Sequence, residues 1–324
     1  MLSRIADSLY WMSRYLERAG NTARLIEINL LYLLEAEDAL SPAAQWRPLL
    51  SINGSEEAYA TCYPNAEITA HKMIQFMTQE RSNPNAIRST LGLARENARV
   101  VRDRISKEMW EAMNELWLQM DRQLQSPLLP ERAARVYAEV RNGVARFHGL
   151  TSNTMMRGEG WDFYALGTFL ERADMTARIL DVKYHLLLPD LSMVGSPLDY
   201  YQWAALLRSL SGFEAFRRKY HAGLRPIDVG EFVIFEREFP RSLRFCVDRM
   251  HSALADIGPP AADSPSIAAM NGLVDRLGNL TSEQVFQQGL HEFLQDFLDQ
   301  ISDLHGALAA DYFDAQPMEQ RCAT

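Results

Sequence analysis

Tyr15-Leu16-Glu17-Arg18-Ala19-Gly20-Asn21-Thr22-Ala23-Arg24 returns 154 residues later as Phe169-Leu170-Glu171-Arg172-Ala173-Asp174-Met175-Thr176-Ala177-Arg178. Eight of the ten positions are identical or exchange one aromatic ring for another. A charged pair duplicated inside an apolar helical pattern implies two matching sites, or one site on a pseudo-twofold axis.

The echo extends outward from this decamer. Trp46, Leu49 and Leu50 are answered by Trp203, Leu206 and Leu207 at an offset of 157. Gly54-Ser55-Glu56 is answered by Gly212-Phe213-Glu214 at 158. Pro84, Ile87 and Arg88 match Pro240, Leu243 and Arg244 at 156, and Met113-Asn114 with Leu116 matches Met270-Asn271 with Leu273 at 157. His148-Gly149 matches His305-Gly306, again at 157. The order is kept and the offsets drift by a few residues, as small loop insertions would make them. Two helical copies, 1–152 and 153–312, are therefore expected in one compact body, followed by a frayed tail at 313–324. The period is far longer than that of solenoid repeats.

Almost the whole chain reads as helix. Leu9, Met12, Leu16, Ala19, Ala23, Ile26 and Leu30 recur every three or four residues, which marks one apolar helix face. Ser3 is placed to cap that helix, and 38–42 to end it. Its counterpart spans about 161–188 and stops at Pro189. Further helices are expected at about 43–50, 67–79, 84–124 with a break near Ser106, 130–148, 198–210, 213–221, 240–257, 264–280 and 282–312. Val229 to Phe235 could pass for a strand, but its counterpart around Met73 to Met77 is helical in pattern, so helix is expected there too. No alternation of strands and helices appears, so the fold class is all-α: an internally duplicated helical bundle with pseudo-twofold symmetry.

Composition narrows the function classes. Apolar residues make up 47% and charged residues 23% of 324, as in ordinary globular proteins. A net charge of −9 argues against a nucleic-acid partner. The basic strip Arg95, Arg99, Arg102 and Arg104 is interleaved with Glu96 and Asp103 and reads as a solvated helix face. Three scattered cysteines form neither a disulfide framework nor a zinc pattern and suit a reducing cytoplasm. No signal-peptide core opens the chain, and no apolar run is long enough for a membrane span. A cytoplasmic location is expected.

Arg14, Glu17, Asn21 and Arg24 share one side of the first motif helix, away from its apolar stripe. On a surface, Glu17 would bridge to Arg14 or Asn21 for a few tenths of a kcal/mol. However, Tyr10, Trp11 and Tyr15 make this helix apolar nearly all round, and Trp161, Phe163, Tyr164 and Phe169 do the same for its partner. Such helices are interior, and charges there need partners. The duplication offers Glu17 to Arg172 or Arg178, and Glu171 to Arg18 or Arg24. Two uses of the cluster stay open. One is a structural ion-pair network. The other is a pocket in which Glu17 and Glu171 act as general acid or base while Arg14, Arg18, Arg24, Arg157, Arg172 and Arg178 grip carboxylates.

The opening from Leu2-Ser3-Arg4 to Arg24, and Met156-Arg157-Gly158-Glu159-Gly160-Trp161 through Ile179-Leu180, resemble the bacterial alpha-E family, an all-helical domain with a Glu-Arg motif. The resemblance covers essentially the whole chain. It implies association with ATP-grasp-type ligases and transglutaminase-like proteins, and so an accessory or substrate-presenting part in a peptide- or amide-bond-forming system. The alternative is an enzyme acting on amides or peptides. The family often carries Arg three residues before the central Glu; Arg14 keeps that place in the first copy, whereas Thr168 holds it in the second.

Other chemistry is thinly represented. None of the seven histidines follows a glutamate by three places, as a di-iron bundle requires. Asp248-x-x-His251 reads as an exposed face, and His291-Glu292 lacks a second zinc-binding His. His148 and His305 precede glycines and read as helix C-caps. No phosphate loop, dinucleotide fingerprint or nucleophile elbow occurs. Arg157-Gly158-Glu159-Gly160-Trp161 is either a capping turn or an anion site at a helix N-terminus. No metal and no cofactor are expected.

Overall fold

The computed structural model describes residues 1–35, 41–186, 197–221, 223–261 and 263–313. Among them the chain forms helices and no strands. In order these are α1 (Ser3–Glu35), α2 (Pro42–Ile52), α3 (Glu56–Cys62), α4 (Ala70–Thr78), α5 (Ile87–Val100), α6 (Lys107–Gln123), α7 (Pro130–Thr154), α8 (Glu159–Leu186), α9 (Pro197–Ser209), α10 (Phe213–Lys219), α11 (Pro226–Phe235), α12 (Leu243–Ile257), α13 (Pro265–Asn279), α14 (Ser282–Gln288) and α15 (Leu290–Leu308), closed by a π-helical turn at Ala309–Phe313. The all-α reading holds, and 229–235 is helical within α11. The stop at Pro189 and, apart from Phe313, the tail at 313–324 lie outside the described residues.

Local chemistry explains most boundaries. Ser106, where a break was expected, caps α6 by accepting the Met109 amide, and Ser242 caps α12 by accepting that of Phe245. Thr281 and Gln284 form a reciprocal capping box at α14. Proline opens α2, α7, α11 and α13, where its missing N–H costs nothing. Three sequence readings are corrected. Ser3 is the first helical residue rather than a cap. The stretch after Gly54-Ser55, where no helix was expected, forms the short helix α3. His148 and His305 are not caps, because α7 runs on to Thr154 and α15 to Leu308.

Two long helices organise the body. α1 packs on α8, α5 and α7, while α8 packs on α1, α12 and α15. The apolar stripe from Leu9 to Ile26 is fully buried. Trp46 of α2 and Trp203 of α9 are buried as well, each side chain contributing roughly 2–3 kcal/mol of hydrophobic stabilisation. At Gly167, α8 lies close against the backbone of α1. A Cβ there would stand 2.2 Å from the Tyr10 carbonyl oxygen and 2.2 Å from Ser13 Oγ. Glycine is required because the opposing surface is backbone, which cannot move aside as a flexible side chain can.

Candidate functional site

The close approach at Gly167 sets the motif residues one turn further along each helix against each other. Glu17 and Glu171 are each 1% exposed, and every partner each carboxylate finds comes from another helix or turn. Glu171 on α8 receives Arg18 of α1 in two bonds, Nε to Oε1 at 2.5 Å and Nη2 to Oε2 at 3.0 Å. Arg14 Nε of α1 adds a third at 2.9 Å. Glu17 on α1 receives Arg172 of α8, with Nη2 donating to Oε2 and Nε lying 3.1 Å from Oε1. Arg241 Nη1 approaches Oε1 at 2.8 Å, and His148 Nε2 of α7 lies 3.1 Å from Oε2. Of the alternatives the sequence left open, Arg172 and Arg18 are the partners.

Burial alone would raise both carboxyl pKa values. The guanidiniums overcome it: Arg172 and Arg241, with His148, hold Glu17 well below the usual carboxylate range, and Arg18 and Arg14 do the same for Glu171. Both are fixed anions at neutral pH. Arg18 is braced in turn by Asn85 Oδ1 at 2.8 Å, and Asn85 donates to the Asn53 carbonyl.

Each histidine read as a cap sits beside a motif helix instead. Arg14 Nη1 donates to the Tyr10 hydroxyl oxygen at 3.3 Å, which directs the phenol proton to His305 Nδ1, 2.9 Å away. Burial, then Arg14, depress the His305 pKa to about 4, so the ring is a neutral acceptor. Tyr164 and His148 Nδ1 make the corresponding 2.6 Å contact beside Glu17.

A cleft of about 250 Å³ opens against the Glu171 side, lined by Arg14, Arg18, Asn85, Glu171, Arg178 and His305. Arg178 makes a bidentate bond with Asp174 one turn before it on α8. Arg24 is half-buried near Glu17 and donates to Asn21 rather than to a carboxylate. Arg157 stands apart from both glutamates. It is exposed, donates to the Ser152 carbonyl and lies over the Trp161 ring at 3.4 Å. The basic strip is likewise surface chemistry: Arg95 and Arg99 both pair with Glu96. His291 pairs with Asp181 at 2.6 Å, an ion-pair or hydrogen-bond contact that the sequence did not suggest.

Arg241 is the site residue the sequence missed. It lies in the turn before α12, and its backbone is fixed by Thr176, whose hydroxyl donates to the Arg241 carbonyl at 2.9 Å. The offset pairs it with Asn85, which carries no charge. The remaining signal was that both positions follow the matched prolines Pro84 and Pro240.

Among the described residues no helix is long and apolar enough to cross a membrane. No solved structure matches the chain. Over 326 aligned residues it is 24% identical to uncharacterised proteins of Mycobacterium bovis and of two Mycobacterium tuberculosis strains, covering 94% of this chain and 35% of each relative. The chain thus spans about a third of the length of the curated relatives it matches. A family model for "a predicted alpha-helical domain with a conserved ER motif" matches residues 1–313. The Glu17-Arg18 and Glu171-Arg172 pairs that cross between α1 and α8 are such motifs, and the chain belongs to the alpha-E family.

Proposed function

We propose that this chain is a non-catalytic, accessory or substrate-presenting helical protein of an ATP-grasp-linked system that forms peptide or amide bonds. The observation that carries the non-catalytic part is the state of the two motif glutamates. A general acid or base needs a pKa near the working pH and contact with the group it serves. Glu17 and Glu171 are held as anions, are 1% exposed, and have arginine on both oxygens. Their role in this reading is to fix guanidiniums in place.

The cleft supplies the presenting part. Arg14 and Arg18 are pinned at its wall by Glu171, with Arg178 beside them, so a ligand meets ordered donors at little entropic cost. Carboxylates suit such forks. The matched segments, together with the paired placement of α5 and α7 on α1 and of α12 and α15 on α8, support two copies built around one seam.

The experiment is affinity purification of the tagged chain from its host, with and without ATP, followed by identification of partners. Recovery of an ATP-grasp-type ligase or a transglutaminase-like protein is expected. If neither associates, the accessory reading fails. Amide hydrolysis or synthesis by the purified chain alone, abolished in Glu171→Gln with folding intact, would replace it with the enzymatic one.

A further inference from the structure

The charge around Glu17 does not balance. Arg172, Arg241 and Arg24 all interact with this single carboxylate. Arg141, also nearby, is already neutralised by Glu27, with Nε 2.8 Å from Oε2. Three guanidiniums on one carboxylate leave two positive charges in a largely buried region. Burial and the facing Arg241 press the Arg24 pKa down to about 9, yet a guanidinium keeps its proton at neutral pH. The strain of like charges is therefore retained in the protein rather than relieved by deprotonation.

The hydrogen bonds show the same deficit. Arg24 Nη1 and Arg241 Nη1 both donate to Asn21 Oδ1, at 3.0 and 2.9 Å. Two donors on that oxygen fix the amide orientation and turn Asn21 Nδ2 the other way. Asn21 Nδ2 and Arg24 Nε are both buried and find no acceptor among the described residues. Buried N–H donors left unpaired cost free energy, so two of them beside surplus positive charge mark the place of an acceptor that carries negative charge. Water can accept from both but brings no charge. A carboxylate neutralises one of the two surplus charges, whereas a phosphate monoester, at about −1.5 to −2 near neutral pH, neutralises both. Arg24 is half-buried, so part of the residue reaches solvent.

We propose that Asn21, Arg24 and Arg241 form a binding site for a phosphate monoester, separate from the cleft beside Glu171. Phosphate binding here neither requires nor tests association with a ligase.

The test is thermal melting of the full chain at constant ionic strength, titrated with inorganic phosphate, phenyl phosphate, acetate or chloride. Both phosphates are expected to raise the melting temperature saturably, with acetate weaker by at least about tenfold. Arg24→Gln should weaken phosphate binding by about tenfold or more, as expected for loss of a charge-assisted bond. Asn21→Asp places a resident anion among the guanidiniums; it should raise the melting temperature without ligand and abolish the response. A phosphate response no greater than that to chloride overturns the proposal, as does an undiminished response in both variants. Equal binding of acetate and phosphate overturns the assignment to a dianion.

Discussion

Glu17 and Glu171 reach the same end by different means. Glu171 takes both its arginines from one helix: Arg14 and Arg18 are four residues apart on α1. Glu17 gathers its partners from three places, Arg172 on α8, Arg241 in the turn before α12 and His148 on α7. At the position corresponding to Arg14 stands Thr168, whose hydroxyl is occupied with the Tyr164 carbonyl. The second arginine of Glu17 comes instead from Arg241, in a turn, where the sequence offset of 156 aligns the neutral Asn85. A missing motif arginine therefore does not imply a missing charge. The surroundings differ as well: the Glu171 cage faces a cleft, whereas the Glu17 cage holds the excess of cations.

The largest effect should separate the two glutamates themselves. Removing one member of a buried ion pair costs about 3–5 kcal/mol. Glu17→Gln leaves Arg172, Arg241 and Arg24 without any carboxylate among them, while Glu171→Gln leaves Arg14 and Arg18 with Asp174 still near. Chemical denaturation should place Glu17→Gln at the upper end of that range and Glu171→Gln at the lower. Equal losses would mean the two cages are energetically alike.

Gly167→Ala should follow. Its Cβ meets backbone, and overpacking of this kind costs about 1–3 kcal/mol. Gly20→Ala, whose Cβ would lie 3.2 Å from the Val144 side chain, should change stability by less than about 1 kcal/mol. The two melts compare one glycine on α1 with one on α8, and similar losses would deny Gly167 its special position.

A smaller effect is expected from exchanging the two architectures. Arg241→Asn alone strips Glu17 of one guanidinium. Adding Thr168→Arg supplies it again from the motif helix, as Arg14 does for Glu171. Coupled neighbours show interaction energies of about 0.5–3 kcal/mol, and the double variant should regain about 1 kcal/mol over Arg241→Asn. No recovery would show that Thr168 cannot take over that role.

The last comparison is in pH. His305 has its folded pKa depressed to about 4, so the unfolded chain takes up the proton first, near pH 6.5. Its contribution is complete above about pH 6.5 and fades as the pH falls through about 4. The glutamates, also depressed, contribute fully above their unfolded pKa of about 4.3 and lose that contribution as the pH falls further. His305→Phe should flatten the stability profile between about pH 6.5 and 4.3 and keep the steeper loss below. An unchanged profile in the upper window would remove His305 from the acid response.

The residues themselves explain which parts of this were legible. The helix boundaries at Ser106 and Pro130 were visible because caps and missing N–H groups act locally, whereas the helices expected from Pro84 and Pro240 begin only at Ile87 and Leu243. The pairing of Glu17 with Arg172, and of Glu171 with Arg18, was among the options because the repeated decamer carried both halves of each pair. Arg241 was hidden because its role depends on a turn 69 residues beyond Arg172, and its counterpart is a neutral asparagine. His148 and His305 looked like caps because glycine followed each, but a helix tolerates one glycine at a modest cost, and these two continue past it. Gly167 carried no local signal at all, since its importance lies wholly in the backbone it touches.

The exchange of partners between α1 and α8 also governs how the molecule comes apart. Each helix brings the counter-ions for the other, so a fragment cut between α7 and α8 would carry one orphaned carboxylate and at least two orphaned guanidiniums. Neither fragment would keep its charges neutralised in a dry interior. Unfolding should therefore proceed as a single cooperative event, with no stable half-molecule along the way.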